Sequence, residues 1–296
     1  MSIQQDLQDY ISQTGTTQSA VARAIGVTAP VVNQYLKGKY AGDVAAVEKA
    51  VEAFLAKQRE KAAGSKLTVA YVYTPTAKRV RDVLRLAHLE GEAVVLYGQA
   101  GLGKTRALNA YKADNPDALL LDTDPTYTAK VLLQKLAQML GSDTRGNLGE
   151  LMDGVINKLK DSGRIILVDE AENLPLRALE CLRRVHDKAG VGLVLAGMPR
   201  LLVNLRGKNG ELKQLYSRVA FRLDLGDAIP DADLGMIAGT AMPEADADTV
   251  AELVRAAAGN ARRLDKLVRG MVRLSRMNRQ AADAEMVRRF AEMLIH

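Results

Sequence analysis

Eight residues constrain this chain more than any other stretch. Gly98-Gln99-Ala100-Gly101-Leu102-Gly103-Lys104-Thr105 match G-x-x-x-x-G-K-[ST], the phosphate-binding loop. Residues 93–97 ahead of it form an apolar run that reads as a buried strand, and residues 105–111 read as the opening turns of a helix. Gly98, Gly101 and Gly103 permit backbone angles and a close approach that a Cβ would block. The loop N–H groups and the helix N-terminus then face a polyphosphate. Lys104 is placed to reach the β- and γ-phosphates and Thr105 to ligand Mg²⁺, while Gln99, Ala100, Leu102 and Arg106 complete the nucleotide-binding positions. The expected ligand is a nucleoside triphosphate, ATP with Mg²⁺.

Around that loop the chain alternates strand and helix. Strands are expected at 93–97, 118–122, 164–168, 191–196 and 221–225, with helices at 104–113, 128–140, 148–161 and 175–188. Near-continuously apolar strands separated by helices imply an α/β fold with a parallel sheet covered on both faces. An apolar content of 48% in 296 residues supplies such a core. From about Asp227 the strands stop and helical patterns run to the end, which predicts an all-α lid over 227–296 behind a core over 93–226.

Residues 1–62 read as a separate all-helical unit. Residues 17–27 form a helix closed by Gly26, and Thr28 can cap a second helix with Pro30 in its first turn. A longer helix at 44–57 follows, and the pair resembles a lambda-repressor-like helix-turn-helix. Asn33, Gln34 and Lys37 on its exposed face suit base edges and phosphates. The unit carries a net charge of only +1, so a partner-docking bundle stays open beside DNA contact. Residues 61–66 read as a linker, and within 63–92 a leading helix at 76–88 carries Lys78, Arg79, Arg81 and Arg85.

The strand at 164–168 ends in Asp169 and Glu170, about 65 residues after the phosphate loop. At that position Asp169 can hold the Mg²⁺ shell and Glu170 can polarise an attacking water. This order resembles the AAA+ ATPase superfamily over residues 75–296. The resemblance implies an AAA+ P-loop core and further parts that can be sought one at a time. Residues 191–198 occupy the sensor-1 strand, where relatives carry a polar residue; here Met198 stands, and a thioether cannot donate a hydrogen bond. That departure implies slow or partner-dependent hydrolysis. Residues 216–222 match the arginine-finger segment, with Arg218 the first choice and Arg222 the reserve, which implies a neighbouring copy to receive it. Gly259-Asn260-Ala261-Arg262 is similar to the sensor-2 signature, with Arg262 carried over and Arg263 its competitor.

One further signal is independent of any family. Arg262, Lys266, Arg269, Arg273 and Arg276 recur at spacings of four, three, four and three, which puts them on one helix face. Between Arg255 and Arg279 the net charge is +7, more than the +6 of the whole chain. Such a stripe is either a solvated face or a surface for phosphate backbone bound with little regard to sequence. The basic, glycine-rich residues 206–210 offer Arg206 and Lys208 as a second contact.

Taken from helix-turn-helix to basic lid, the chain resembles the phage AAA+ target-DNA activator family. That resemblance implies an ATPase that assembles as a homo-oligomeric helical filament on double-stranded DNA, selects target DNA and activates a transposase. A helicase-loader-type ATPase and an ATP-switched helix-turn-helix transcription regulator remain as alternatives. The single cysteine, Cys181, fits a reducing compartment. The polar start, with Gln4, Gln5, Asp6 and Asp9, and the lack of a long apolar run predict no membrane contact and a place in the bacterial host cytoplasm.

Overall fold

The computed structural model describes residues 2–65, 70–206 and 213–294. The chain divides into two compact units, 1–68 and 69–296.

Among the described residues the first unit has four helices: α1 (Ile3–Thr14), α2 (Gln18–Ile25), α3 (Ala29–Leu36) and α4 (Val44–Ser65). Short polar residues open the first two, where Ser2 accepts from the Gln5 N–H and Thr17 from the Ala20 N–H. Gly26 closes α2 with φ 76°, a left-handed angle that glycine adopts without steric cost. Thr28 stands at the start of α3 as expected, but its hydroxyl makes no capping bond; Pro30 pre-sets that turn instead. Leu7, Val21, Val32, Tyr35 and Val51 form the core, with the Tyr10 and Phe54 rings edge to face at 5.5 Å. Each such side chain contributes about 1.5–3 kcal/mol by leaving water. The segment expected as a linker continues α4 to Ser65.

Among the described residues the second unit is built on five parallel strands, β1 (Ala93–Tyr97), β2 (Leu119–Asp122), β3 (Ile165–Asp169), β4 (Gly192–Gly197) and β5 (Val219–Asp224), in the order β2-β3-β4-β1-β5. Strand parity sorts the two faces. Val95, Ile166, Val168, Leu193 and Leu195 point to one side, under α7 (Ala129–Met139), α8 (Leu148–Leu159) and α9 (Leu176–Ala189). Val94, Leu96, Ile165, Leu167 and Val194 point to the other, under α5 (Pro75–Glu90) and α6 (Lys104–Asp114). Gly192 opens β4 because α5 passes so close that a Cβ would collide with the Ala87 carbonyl.

Between β4 and β5, where the sequence suggested no helix, the described residues include two short helices, α10 (Arg200–Arg206) and α11 (Lys213–Arg218). The last strand begins at Val219, two residues before its predicted start. Four helices complete the unit: α12 (Asp231–Ala241), α13 (Ala247–Ala257), α14 (Ala261–Asn278) and α15 (Ala284–Glu292). Leu234, Leu253, Leu264, Leu267, Val268, Met271 and Val287 pack between them. Among the described residues no helix is long and apolar enough to cross a membrane.

Candidate nucleotide site

The carboxyl ends of β1, β3 and β4 converge, and β1 lies between β4 and β5 where the strand order reverses, the place where an open α/β sheet forms its ligand crevice. A cavity of about 480 Å³ opens there between the sheet and the helices of the C-terminal part.

The phosphate loop forms its polar wall. Gly98 follows β1, and a Cβ there would press on Leu102, Leu225 and the Gly226 carbonyl. Gly101 and Gly103 take φ of 86° and 84°. Gly103 also heads α6, whose first turn therefore receives no side-chain cap, so the helix presents backbone N–H groups to an anion. The Lys104 ammonium donates to the Gly98 and Gln99 carbonyls at 2.7 and 2.8 Å. Burial pushes its pKa down, while the carboxylates of Glu172, Asp169 and Glu170 oppose that shift. Ala100, Leu102, Thr105 and Arg106 complete this wall.

The acidic wall comes from the end of β3. Asp169 is buried, and the Thr123 hydroxyl at the end of β2 donates to its main-chain carbonyl at 2.7 Å. Glu170 is exposed and left-handed at φ 52°, a conformation that costs a non-glycine residue on the order of 1 kcal/mol. Two contacts hold it there. The Thr123 hydroxyl reaches the Glu170 carbonyl at 3.0 Å, and the Asn173 amide donates to the Glu170 carboxylate at 3.0 Å. Met198, directly after β4, lines the cavity and offers no donor.

The third wall joins the loop to α14. Asn260 caps that helix by accepting from the Arg262 and Arg263 N–H groups at 2.9 and 3.1 Å, and its amide lies 3.4 Å from the Ala100 carbonyl. The Ala261 N–H donates to the Gly101 carbonyl at 2.9 Å. Arg262, in the first turn of α14, faces the same cavity. Tyr71, Val72, Val80, Ile237 and Val268 supply an apolar end of a size suited to a base. Burial raises the Tyr71 phenol pKa to about 12.

Two buried oxygens speak for a charged ligand. Glu172 Oε2 and Asp265 Oδ1 are the buried side-chain oxygens that lack a hydrogen-bond partner among the described residues, and both residues line this cavity. A buried acceptor left unmatched is costly, so a cation or donor that enters with a ligand relieves it. Among the described residues no cluster of three acids, histidines or cysteines could cage a metal. Thr105 and Asp169 both line the cavity and suit a Mg²⁺ that takes its remaining ligands from phosphate and water, the usual habit of that ion.

Other expected residues lie elsewhere. Arg218 is largely exposed and pairs with Asp187 at 3.3 Å, while Arg222 sits on the exposed edge strand. Neither lines the cavity of its own chain. On α14, Arg262, Lys266, Arg269, Arg273 and Arg276 are all exposed, opposite the buried Leu264, Leu267, Val268 and Met271. Asp265 pairs with Arg269 at 2.9 Å and offsets part of the charge. Arg206 is the last residue of α10, and its side chain and Lys208 lie outside the described residues. In the first unit Gln34 and Lys37 are exposed and Asn33 is half-buried.

Residues 88–205 match the family model described as AAA domain. The chain is 31% identical over 225 residues to the Mu-like prophage FluMu DNA transposition protein B of Haemophilus influenzae, covering 74% of this chain and 78% of that one. It is 29% identical to the ATP-dependent target DNA activator B of Escherichia phage Mu, covering 74% and 72%. Among solved structures, Cdc6p of Pyrobaculum aerophilum is similar at a TM-score of 0.61 and 16% identity, over 78% of this chain and 71% of that one. At that identity the likeness concerns the fold.

Proposed function

Because the chain belongs to the family of Mu-like DNA transposition protein B, an AAA+ ATPase family, we propose that it hydrolyses ATP and that its ATP-bound form assembles on double-stranded DNA. The assembly is a filament of copies that selects target DNA and activates a transposase. The observation that carries this reading is the meeting of phosphate loop, strand-end acids and lid arginine in one cavity whose wall includes two buried, unmatched carboxylate oxygens.

Each residue then has a task. Gly98 to Gly103 wrap the polyphosphate with backbone N–H groups, and Lys104 leaves its loop carbonyls to meet the β- and γ-phosphates. Thr105 and Asp169 would hold Mg²⁺, which would neutralise charge at the phosphate oxygens. Glu170 takes the proton of a water whose oxygen bonds to the terminal phosphorus, as the bridging oxygen departs with ADP. Arg262 fastens the lid to the phosphates. Arg218 of a neighbouring copy, with Arg222 in reserve, completes the site across a protomer boundary. Met198 contributes nothing polar, so turnover is slow until DNA or a partner improves the geometry.

DNA is gripped by the α14 stripe, with Lys266, Arg269 and Arg273 at its centre. Arg206 and Lys208 add contacts from the segment before β5, and Asn33, Gln34 and Lys37 from the first unit. These are phosphate contacts repeated from copy to copy, so affinity comes from number and not from base readout. Hydrolysis removes the terminal-phosphate contacts and loosens the array.

The test is binding to a random-sequence duplex across a salt series, with and without ATP. Lys104→Ala should abolish ATP-dependent binding, and Glu170→Gln should prolong it. Affinity indifferent to nucleotide in both variants refutes the coupling. A short preferred DNA site bound by small oligomers would point to a transcription regulator instead.

A further inference from the structure

We propose that Arg200 reads the terminal phosphate of the bound nucleotide and that Asn173 passes this contact to Glu170, setting the aim of its carboxylate. The proposal rests on the reading of the cavity as an ATPase site and names how that site senses its substrate.

Three side chains form a chain of hydrogen bonds. An Arg200 guanidinium nitrogen donates to the Asn173 Oδ1 at 2.9 Å. The Asn173 amide nitrogen donates to the Glu170 carboxylate at 3.0 Å and lies 3.4 Å from the Thr123 carbonyl. Chemistry fixes the direction of this chain. A guanidinium can only donate and an ionised carboxylate can only accept, so the Asn173 amide cannot flip without losing both partners. Its backbone is equally set, because the Asn173 N–H closes a tight turn on the Glu170 carbonyl at 2.9 Å. A shift of Arg200 is therefore felt at Glu170.

Arg200 also stands where a phosphate sensor is missing. It lies two residues beyond Met198, in the first turn of α10, and lines the same cavity. Met198 cannot donate, whereas a guanidinium carries five N–H donors. Among the described residues one of these is committed to a short bond, the one to Asn173. The side chain is 61% exposed, so it is free to turn toward a ligand.

Glu172 supplies a competing partner. It is 4% exposed in its side chain, and one carboxylate oxygen lies 3.8 Å from Arg200 while the other is unmatched. A buried anion of this kind attracts the nearest mobile cation. With a terminal phosphate present, Arg200 spans that phosphate and Asn173. Without it, the Glu172 carboxylate competes with Asn173 for the guanidinium, and the pull on Asn173 changes. Arg200 is thus the phosphate-contacting group, and Asn173 is a positioning residue that acts through Glu170.

The test uses the full chain with Mg²⁺ and duplex DNA. It measures kcat, KM and the ratio of ADP to ATP dissociation constants for the wild type, Arg200→Ala, Arg200→Lys, Asn173→Ala and the double alanine variant. Arg200→Ala should lower kcat about 10- to 100-fold and cut the preference for ATP over ADP about 5- to 10-fold, with ADP affinity unchanged. Asn173→Ala should lower kcat alike while leaving both affinities within about twofold, and the double variant should be no slower than Arg200→Ala. Arg200→Lys should keep most of the ATP preference and still fail in kcat, because an ammonium cannot serve two partners in one plane. The relay is overturned if Arg200→Ala leaves kcat and preference within about twofold, if the two losses multiply in the double variant, or if Asn173→Ala weakens both nucleotides equally. Lys104→Ala separates the two levels. A Lys104→Ala variant that turns over like the wild type sinks the ATPase reading and the relay together. A dead Lys104→Ala beside a silent Arg200→Ala sinks the relay alone.

Discussion

Asn260 has two separable tasks, and two substitutions tell them apart. Its Oδ1 caps α14 by accepting from the Arg262 and Arg263 N–H groups, and its amide faces the Ala100 carbonyl of the phosphate loop. Asn260→Ala removes the cap, at a cost of about 1 kcal/mol, which in a unit of this size lowers the melting temperature by about 2–4 °C. Asn260→Asp keeps the acceptor, and an acid at a helix N-terminus is favourable, so the melting temperature should stay near that of the wild type. It also sets a negative charge against the loop that cradles the polyphosphate. At an effective dielectric of about 20 and a separation of about 8 Å, two unit charges repel by about 2 kcal/mol, or about 30-fold in affinity. The assay pairs a thermal melt with titration of a fluorescent ATP analogue. Asn260→Asp should melt normally and bind ATP about 30-fold more weakly, while Asn260→Ala should melt early and bind ATP with a small loss. An Asn260→Asp variant that binds ATP as the wild type does would show that the triphosphate does not run beneath the end of α14.

Gly192→Ala forces a Cβ onto the Ala87 carbonyl and should cost about 1–3 kcal/mol in denaturant unfolding; an unchanged midpoint would mean that α5 can retreat from β4. Burial depresses the Lys104 pKa, so its charge is present below that lowered value and disappears as pH rises through it. ATP affinity should therefore fade on the alkaline side before an ordinary lysine would titrate. The nucleotide-free fold should gain stability over the same interval, because the unfolded chain there holds more protons. Opposite slopes in nucleotide titration and in unfolding check this, and parallel slopes contradict it.

What was legible in the sequence follows from the range of the forces involved. The phosphate loop, the strand ending in Asp169 and Glu170, and the face of α14 are local patterns, and the structure places each on the element its spacing implied. The strand order β2-β3-β4-β1-β5 was not legible, because periodicity identifies strands without saying which of them pair. α10 and α11 were not legible, because helices of seven and six residues show no clear apolar repeat. The Thr28 hydroxyl left its cap unmade although the residue type favours one. In the site, Asn260 could be read from its place before a helix, and Glu172 and Asn173 lie just beyond the strand-end acids. Arg200 gave no signal. Its meaning arises from contact with Asn173, 27 positions away, and only tertiary packing creates that contact.

A triphosphate held between copies of the chain is proposed to join them, and the joined array to grip DNA. Sedimentation of the full chain with ATP, Mg²⁺ and random-sequence duplex, wild type beside Arg218→Ala, tests it most directly. The wild type should form large, DNA-bound assemblies that disappear without ATP, while the Arg218→Ala chain should bind nucleotide yet stay small. A wild-type chain that remains monomeric with all three components present contradicts it.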